Sequence, residues 1–117
     1  MSQSLSSSLL CFQRLVNGHT RLRSLLRGWD RGVLVESTDT SECYRLTFVD
    51  TKLVEIEANA GTEVDADITV RGEQRLLNDV FTGIRNPATL FLEGAIQVFA
   101  NDKDQVKLDA IALVIWD

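Results

Sequence analysis

Between residues 66 and 99 the spacing of apolar positions changes repeatedly, and each change coincides with a glycine or with an Asn-Pro pair. Ala66, Ile68 and Val70 alternate with Asp67 and Thr69, the period of a strand with one buried and one wet face. Gly72 breaks the alternation. From Glu73 the apolar residues become Leu76, Leu77, Val80 and Phe81, the stripe of an amphipathic helix, and Gly83 stands where a left-handed C-terminal cap is expected. Asn86-Pro87 opens a second helix: the Asn side chain can accept from a free first-turn amide, and proline gives up a donor that has no partner there. That helix carries Leu90, Phe91 and Leu92 and ends at Gly94, after which Ile96 and Val98 alternate about Gln97 in a further strand beginning near Ala95.

The remainder of the chain supplies more of both element types. Leu5, Leu9, Phe12 and Val16 fall three or four apart; Leu22, Leu25, Leu26 and Trp29 repeat the pattern beyond Asn17-Gly18, predicting two N-terminal amphipathic helices within residues 1–29. Val33-Leu34-Val35 follows Gly32 as a strand, and Ser37 to Glu42 reads as a loop. Tyr44, Leu46 and Phe48 then alternate with Arg45 and Thr47. After a tight reversal at Asp50-Thr51, Val54, Ile56 and Ala58 alternate with Glu55 and Glu57, so these two strands form an antiparallel hairpin. Asn59 to Glu63, with Gly61, is the loop toward Ala66. Near the C-terminus, Asp102 or Asp104 can cap a helix with Val106, Ala110 and Leu113 on one side, although Ala110 to Trp116 is apolar almost all round. Such a stretch must be covered on every side. A buried helix or strand, a wall against bound lipid, or a contact with a second subunit would each do so.

These elements amount to an α+β fold, with about five mostly antiparallel strands covered on one face by helices. The order of the 66–99 segment also resembles the sterol carrier protein type 2 family. That family pattern has an Asp-containing strand, a Leu-rich helix, a glycine, an Asn-Pro turn into a helix with phenylalanine, a glycine and an Ile/Val strand. Asn86, Pro87, Phe91 and Gly94 match it in order and spacing, over about a third of the chain. Ala100-Asn101-Asp102 departs from it, standing where the family has a glycine-containing turn.

The resemblance implies a non-enzymatic domain with a hydrophobic tunnel or cleft between sheet and helices, able to hold a sterol, a fatty acyl chain or a similar apolar molecule. The expected lining is Phe12, Val80, Phe81, Leu90, Phe91, Val98, Phe99, Ile111 and Ile115. Each of these has a simpler explanation as core packing, because a filled core and a hollow one need the same residue types at the same spacing. A rival reading is a scaffold or accessory subunit that dimerises or presents an apolar substrate to partner enzymes, as related domains do in bacterial quinone synthesis and at the end of alkylsulfatases.

Composition narrows the function classes. At 117 residues, with 44% hydrophobic and 25% charged positions, the chain is expected to form one globular domain over residues 1–117. A net charge of -5 argues against nucleic acid as a partner, since phosphate binding needs a basic surface. The charge is unevenly spread: Arg14, Arg21, Arg23 and Arg27 precede the first acidic residue, Asp30. The first reading of these amphipathic helices is packing on the sheet, and their basic residues also suit transient contact with anionic lipid headgroups. The Ser- and Arg-rich start also has the composition of a mitochondrial transit peptide; its apolar pattern, however, runs on through Trp29 into the domain, and a cytoplasmic location is expected. No apolar run reaches the length of a membrane span.

Catalytic chemistry finds little to work with. His19, flanked by Gly18 and Thr20, is the one histidine, and no nucleophile elbow, phosphate-binding glycine loop or His-Glu-x-x-His helix is present. The acid pairs Asp65/Asp67, Glu55/Glu57 and Asp102/Asp104 read as solvated strand faces and caps before they read as cation ligands. Cys11 and Cys43 lack metal-ligand spacing and are expected as buried, reduced thiols. No enzyme, metal or cofactor is expected.

Overall fold

The computed structural model describes residues 4–58 and 66–116, so the predicted 59–63 loop and the Asp65 carboxylate lie outside the described residues. Helix α1 (Leu5–Gly18) is followed by a 3-10 turn (Thr20–Leu22) and a single α-turn, α2 (Arg23–Leu26). Strands β1 (Arg31–Ser37), β2 (Cys43–Val49), β3 (Lys52–Ala58) and β4 (Ile68–Gly72) come next, and then α3 (Gln74–Phe81), α4 (Pro87–Leu92), β5 (Ile96–Phe99) and α5 (Asp102–Ile115). Among the described residues the strands form one five-stranded mixed sheet in the order β3-β2-β1-β4-β5. Three of its pairings are antiparallel; β1 and β4, at its centre, run parallel.

Register sorts the side chains by face. Val33 lies opposite both Leu46 and Ile68, and Val35 opposite Tyr44 and Val70, so these point together into the core beneath the helices. The other face carries Arg45 beside Leu34 and an ion pair between Arg71 Nε and Glu36 Oε2 at 3.0 Å. Leu34 is nevertheless only 3% exposed on this otherwise polar face.

The predicted phase of β3 needs correction. Val54 was expected inward; it is 52% exposed, while Leu53 is fully buried. A β-bulge causes the shift: Phe48 pairs with Leu53 and Thr47 with Glu55, which leaves Val54 as the extra residue. Past the bulge, Ile56 is back opposite Leu46 and joins the core. Helix α1 guards this edge strand. Asn17 Nδ2 and Gln13 Nε2 each donate to the Leu53 carbonyl at 3.0 Å, and Asn17 Oδ1 accepts from the Leu53 amide at 2.8 Å.

Elsewhere the punctuation behaves as expected. Leu5, Leu9, Phe12 and Val16 form the buried stripe of α1. Gly83 and Gly94 take positive φ angles of 86° and 77°, and Asn86 Oδ1 accepts from Ala88 N at 2.9 Å at the start of α4. The second N-terminal helix is shorter than predicted, a 3-10 turn plus one α-turn, which still buries Leu22 and Leu26. Cys11 and Cys43 are not joined in a disulfide and are half-buried, not fully buried.

Helix α5 differs from expectation in both cap and orientation. Asn101 is its N-cap, accepting from Asp104 N at 2.8 Å, whereas Asp104 is 1% exposed and turned into the fold. Val106, Ala110 and Leu113 do share a side, but it is the outer one: Val106 is 69% and Leu113 66% exposed. The C-terminal half of this helix is apolar almost all round, so period alone gives it no unique inward face. Here rotation is fixed by Asp104, which receives Trp29 Nε1 at 3.1 Å and Arg31 Nε at 3.0 Å, and by Trp116, whose indole N–H reaches the Val80 carbonyl at 2.9 Å.

Candidate functional site

The inward faces of sheet and helices do not meet everywhere. Between them lies a cavity of ≈ 400 Å³, within the usual size of small-molecule sites. The sheet contributes Val33, Leu46, Phe48, Val70, Ile96 and Val98, all on its core face. Phe12 and Val16 of α1, with Leu22, Leu26 and Trp29 of the following turns, form one wall. Val80 and Phe81 of α3 form another. Pro87, Ala88, Phe91 and Leu92 of α4 face Gln105, Leu108, Asp109, Ile111, Ala112 and Trp116 of the C-terminal segment across the remaining side. Phe91 is 38% and Leu92 84% exposed, and Asp109 is exposed as well, so the cavity reaches solvent between α4 and α5.

Aromatic rings set its shape. Phe12 meets Phe81 edge-on with centroids 5.0 Å apart and stacks on Trp116 at 6.0 Å. Trp29 lies 5.5 Å from Phe48, with the Arg31 guanidinium 5.9 Å above its ring. Both indole N–H groups are already bonded, to Asp104 and to Val80, so the tryptophans offer the interior only apolar surface.

Of the residues expected in the lining, Phe12, Val80, Phe81, Phe91, Val98 and Ile111 are brought together around this cavity. Three are not. Leu90 is buried but faces a smaller depression with Arg85, Asn86, Thr89 and Glu93. Ile115 packs against the core without reaching the cavity. Phe99 is 53% exposed: in a strand Val98 and Phe99 cannot point to the same face, and Val98 is the one turned inward. Sequence reasoning missed the two tryptophans and the α5 stripe. Gln105, Leu108, Asp109, Ala112 and Trp116 fall at intervals of three, one, three and four, but with Gln105 and Asp109 among them they give no apolar stripe to read.

Among the described residues of the cavity wall, Asp109 is the one acid-base group. His19 closes the end of α1, donating its backbone N–H to the Val16 carbonyl at 3.2 Å, and stands outside the lining. Among the described residues no group of His, Cys, Asp and Glu is placed to hold a metal ion, and no helix is long and apolar enough to cross a membrane.

Comparison with known proteins bears on the fold. No family profile and no curated protein sequence matches the chain. Solved structures do. The crystal structure of sterol carrier protein 2 superposes with a TM-score of 0.68 at 14% identity, covering 92% of this chain and 88% of that one. Palmitated SCP2L2 from Aedes aegypti gives a TM-score of 0.66 at 12% identity over 94% of this chain and 95% of that one. The ubiquinone synthesis protein UbiJ-SCP2 gives 0.62 at 20% identity, covering 94% and 91%. The chain therefore has the sterol carrier protein 2 fold, as the Asn86-Pro87, Phe91, Gly94 pattern implied.

Proposed function

We propose that this chain binds an apolar small molecule or lipid in the cavity between sheet and helices, as a carrier and not as a catalyst. The observation that carries the reading is the cavity itself: ≈ 400 Å³, walled by aliphatic and aromatic side chains, in a fold shared with sterol carrier protein 2 and with a palmitated mosquito protein. Apolar burial supplies the affinity of such a site at about 25 cal/mol per Å² removed from water, with few polar contacts to orient the occupant. Six of the residues expected to line it from sequence (Phe12, Val80, Phe81, Phe91, Val98 and Ile111) stand around it.

Loading from a membrane accords with the basic N-terminal turns, where Arg21, Arg23 and Arg27 are exposed and suited to anionic headgroups. A cytoplasmic location accords with Cys11 and Cys43 not being joined in a disulfide. A second reading, a scaffold or accessory subunit that dimerises or hands an apolar substrate to partner enzymes, draws on the exposed outer face of α5 at Val106 and Leu113. Native mass spectrometry of protein purified from cells separates the two. The carrier retains an extractable lipid and takes up a fluorescent acyl probe. Absence of both, together with a stable dimer or a partner complex, replaces the carrier by the scaffold.

A further inference from the structure

Among the described residues of the cavity wall, the polar side chains apart from the two bonded indoles are Gln105 and Asp109. Gln105 and Asp109 lie one turn apart on α5, facing Phe91 and Leu92 of α4 where the cavity reaches solvent. Among the described residues neither side chain makes a hydrogen bond or an ion pair, so both are free to meet an occupant. No lysine or arginine is on the described wall. Lys107, which lies between the two in sequence, is engaged elsewhere, donating to the Leu25 carbonyl at 2.8 Å.

Resting on the reading of the cavity as a ligand site, we infer that its polar end selects an uncharged apolar alcohol over a carboxylate of the same chain length, with Asp109 as the specificity-determining residue and Gln105 as its companion. A hydroxyl donates to the Asp109 carboxylate and accepts from the Gln105 amide, satisfying both. A carboxylate at the same place meets a like charge and finds no cation to offset its lost hydration. Asp109 is exposed, so solvent screens part of that repulsion, and the discrimination it supplies is about tenfold and not larger.

The test displaces the neutral dye Nile red from the purified chain at pH 7.5 with decanol, decanoate and decyltrimethylammonium, for the wild type, Asp109→Asn and Asp109→Lys. Decanol partitions better than decanoate into any apolar space, so the decisive quantity is how the ratio of their displacing concentrations changes with residue 109. The expected result is a fall in the decanoate-to-decanol ratio of about tenfold in Asp109→Asn, a larger fall in Asp109→Lys, and loss of decyltrimethylammonium displacement in Asp109→Lys. Circular dichroism confirms that the variants fold, as expected for an exposed position. If the ratio is the same in all three proteins, the inference about Asp109 is overturned while the cavity reading stands. If Nile red does not bind the wild type at all, the cavity reading falls and this inference with it.

Discussion

Trp29 donates its indole N–H to Asp104 Oδ1 at 3.1 Å, joining the chain just before the central strand to the first turn of the last helix. The same carboxylate receives Arg31 Nε at 3.0 and 3.1 Å through its two oxygens. Trp29 lines the cavity and Asp104 lies behind it, so this contact fixes a wall of the candidate site from outside.

Removing the carboxylate should therefore act on both stability and site. Asp104→Ala strands the Trp29 N–H and leaves Arg31, whose side chain is 32% exposed, without its partner. The expected loss is about 3 kcal/mol, at the low end for a broken buried pair because Arg31 keeps some access to water. Urea denaturation measures it. Trp29→Phe in the Asp104→Ala background should cost less than it does alone, and strict additivity of the two losses would show that the pair does not couple.

A second long-range carboxylate caps α3. Asp39, in the β1–β2 loop, accepts the Gln74 amide through Oδ1 at 2.9 Å and the Ser37 hydroxyl at 2.9 Å. The Gln74 bond, then the Ser37 bond, holds its carboxyl below the ordinary range. A depressed folded value means stabilisation that is fully present above the unfolded value, about pH 4, and that fades as pH drops through the folded one. Wild type and Asp39→Ala should differ in urea midpoint by a constant amount from pH 7 to pH 5, with the gap narrowing below about pH 4. A gap unchanged down to pH 3 would contradict a role for the charge.

Glycines at two positions should respond in opposite directions to alanine. At Gly72 an added Cβ would stand 2.8 Å from Ile96 Cγ2, a methyl held on a branched Cβ that has little room to rotate in the β4–β5 pair. Gly72→Ala is expected to destabilise by about 1–3 kcal/mol. At Gly18, the last residue of α1, nothing lies within 4 Å of the added carbon. Gly18→Ala should be neutral or stabilising by up to about 1 kcal/mol, because alanine gives up less chain entropy in a helix. Thermal melts of the two variants decide it.

Much of this fold could be read from local signals, and the departures share a cause. Gly83, Asn86-Pro87 and Gly94 act within their own turns, so sequence places them correctly. The phase of β3 depends on a bulge opposite Thr47 in another strand, and the rotation of α5 depends on Asp104 finding Trp29 and Arg31. Neither partner is visible from the element itself. The cavity was the least legible feature, because Leu90 and Phe91 have the same apolar character in sequence, yet one packs away from the space and the other borders it. What separates them is the placement of α4 against α5, which no periodicity encodes.

Phe91 and Phe99 turn that distinction into a measurement. Both are phenylalanines with substantial exposure, 38% and 53%, and both were expected around the ligand. Phe91 borders the cavity at its opening, while Phe99 points from β5 to the other side of the sheet. Truncating Phe91 to alanine removes ring surface an acyl chain would cover, worth about 1 kcal/mol, and should weaken uptake of a fluorescent acyl probe about fivefold. Phe99→Ala removes a ring of the same size from outside and should leave uptake unchanged. Stability should fall by a similar small amount in both, since neither ring is fully buried. Equal losses of probe binding would mean that the probe is not held in the cavity.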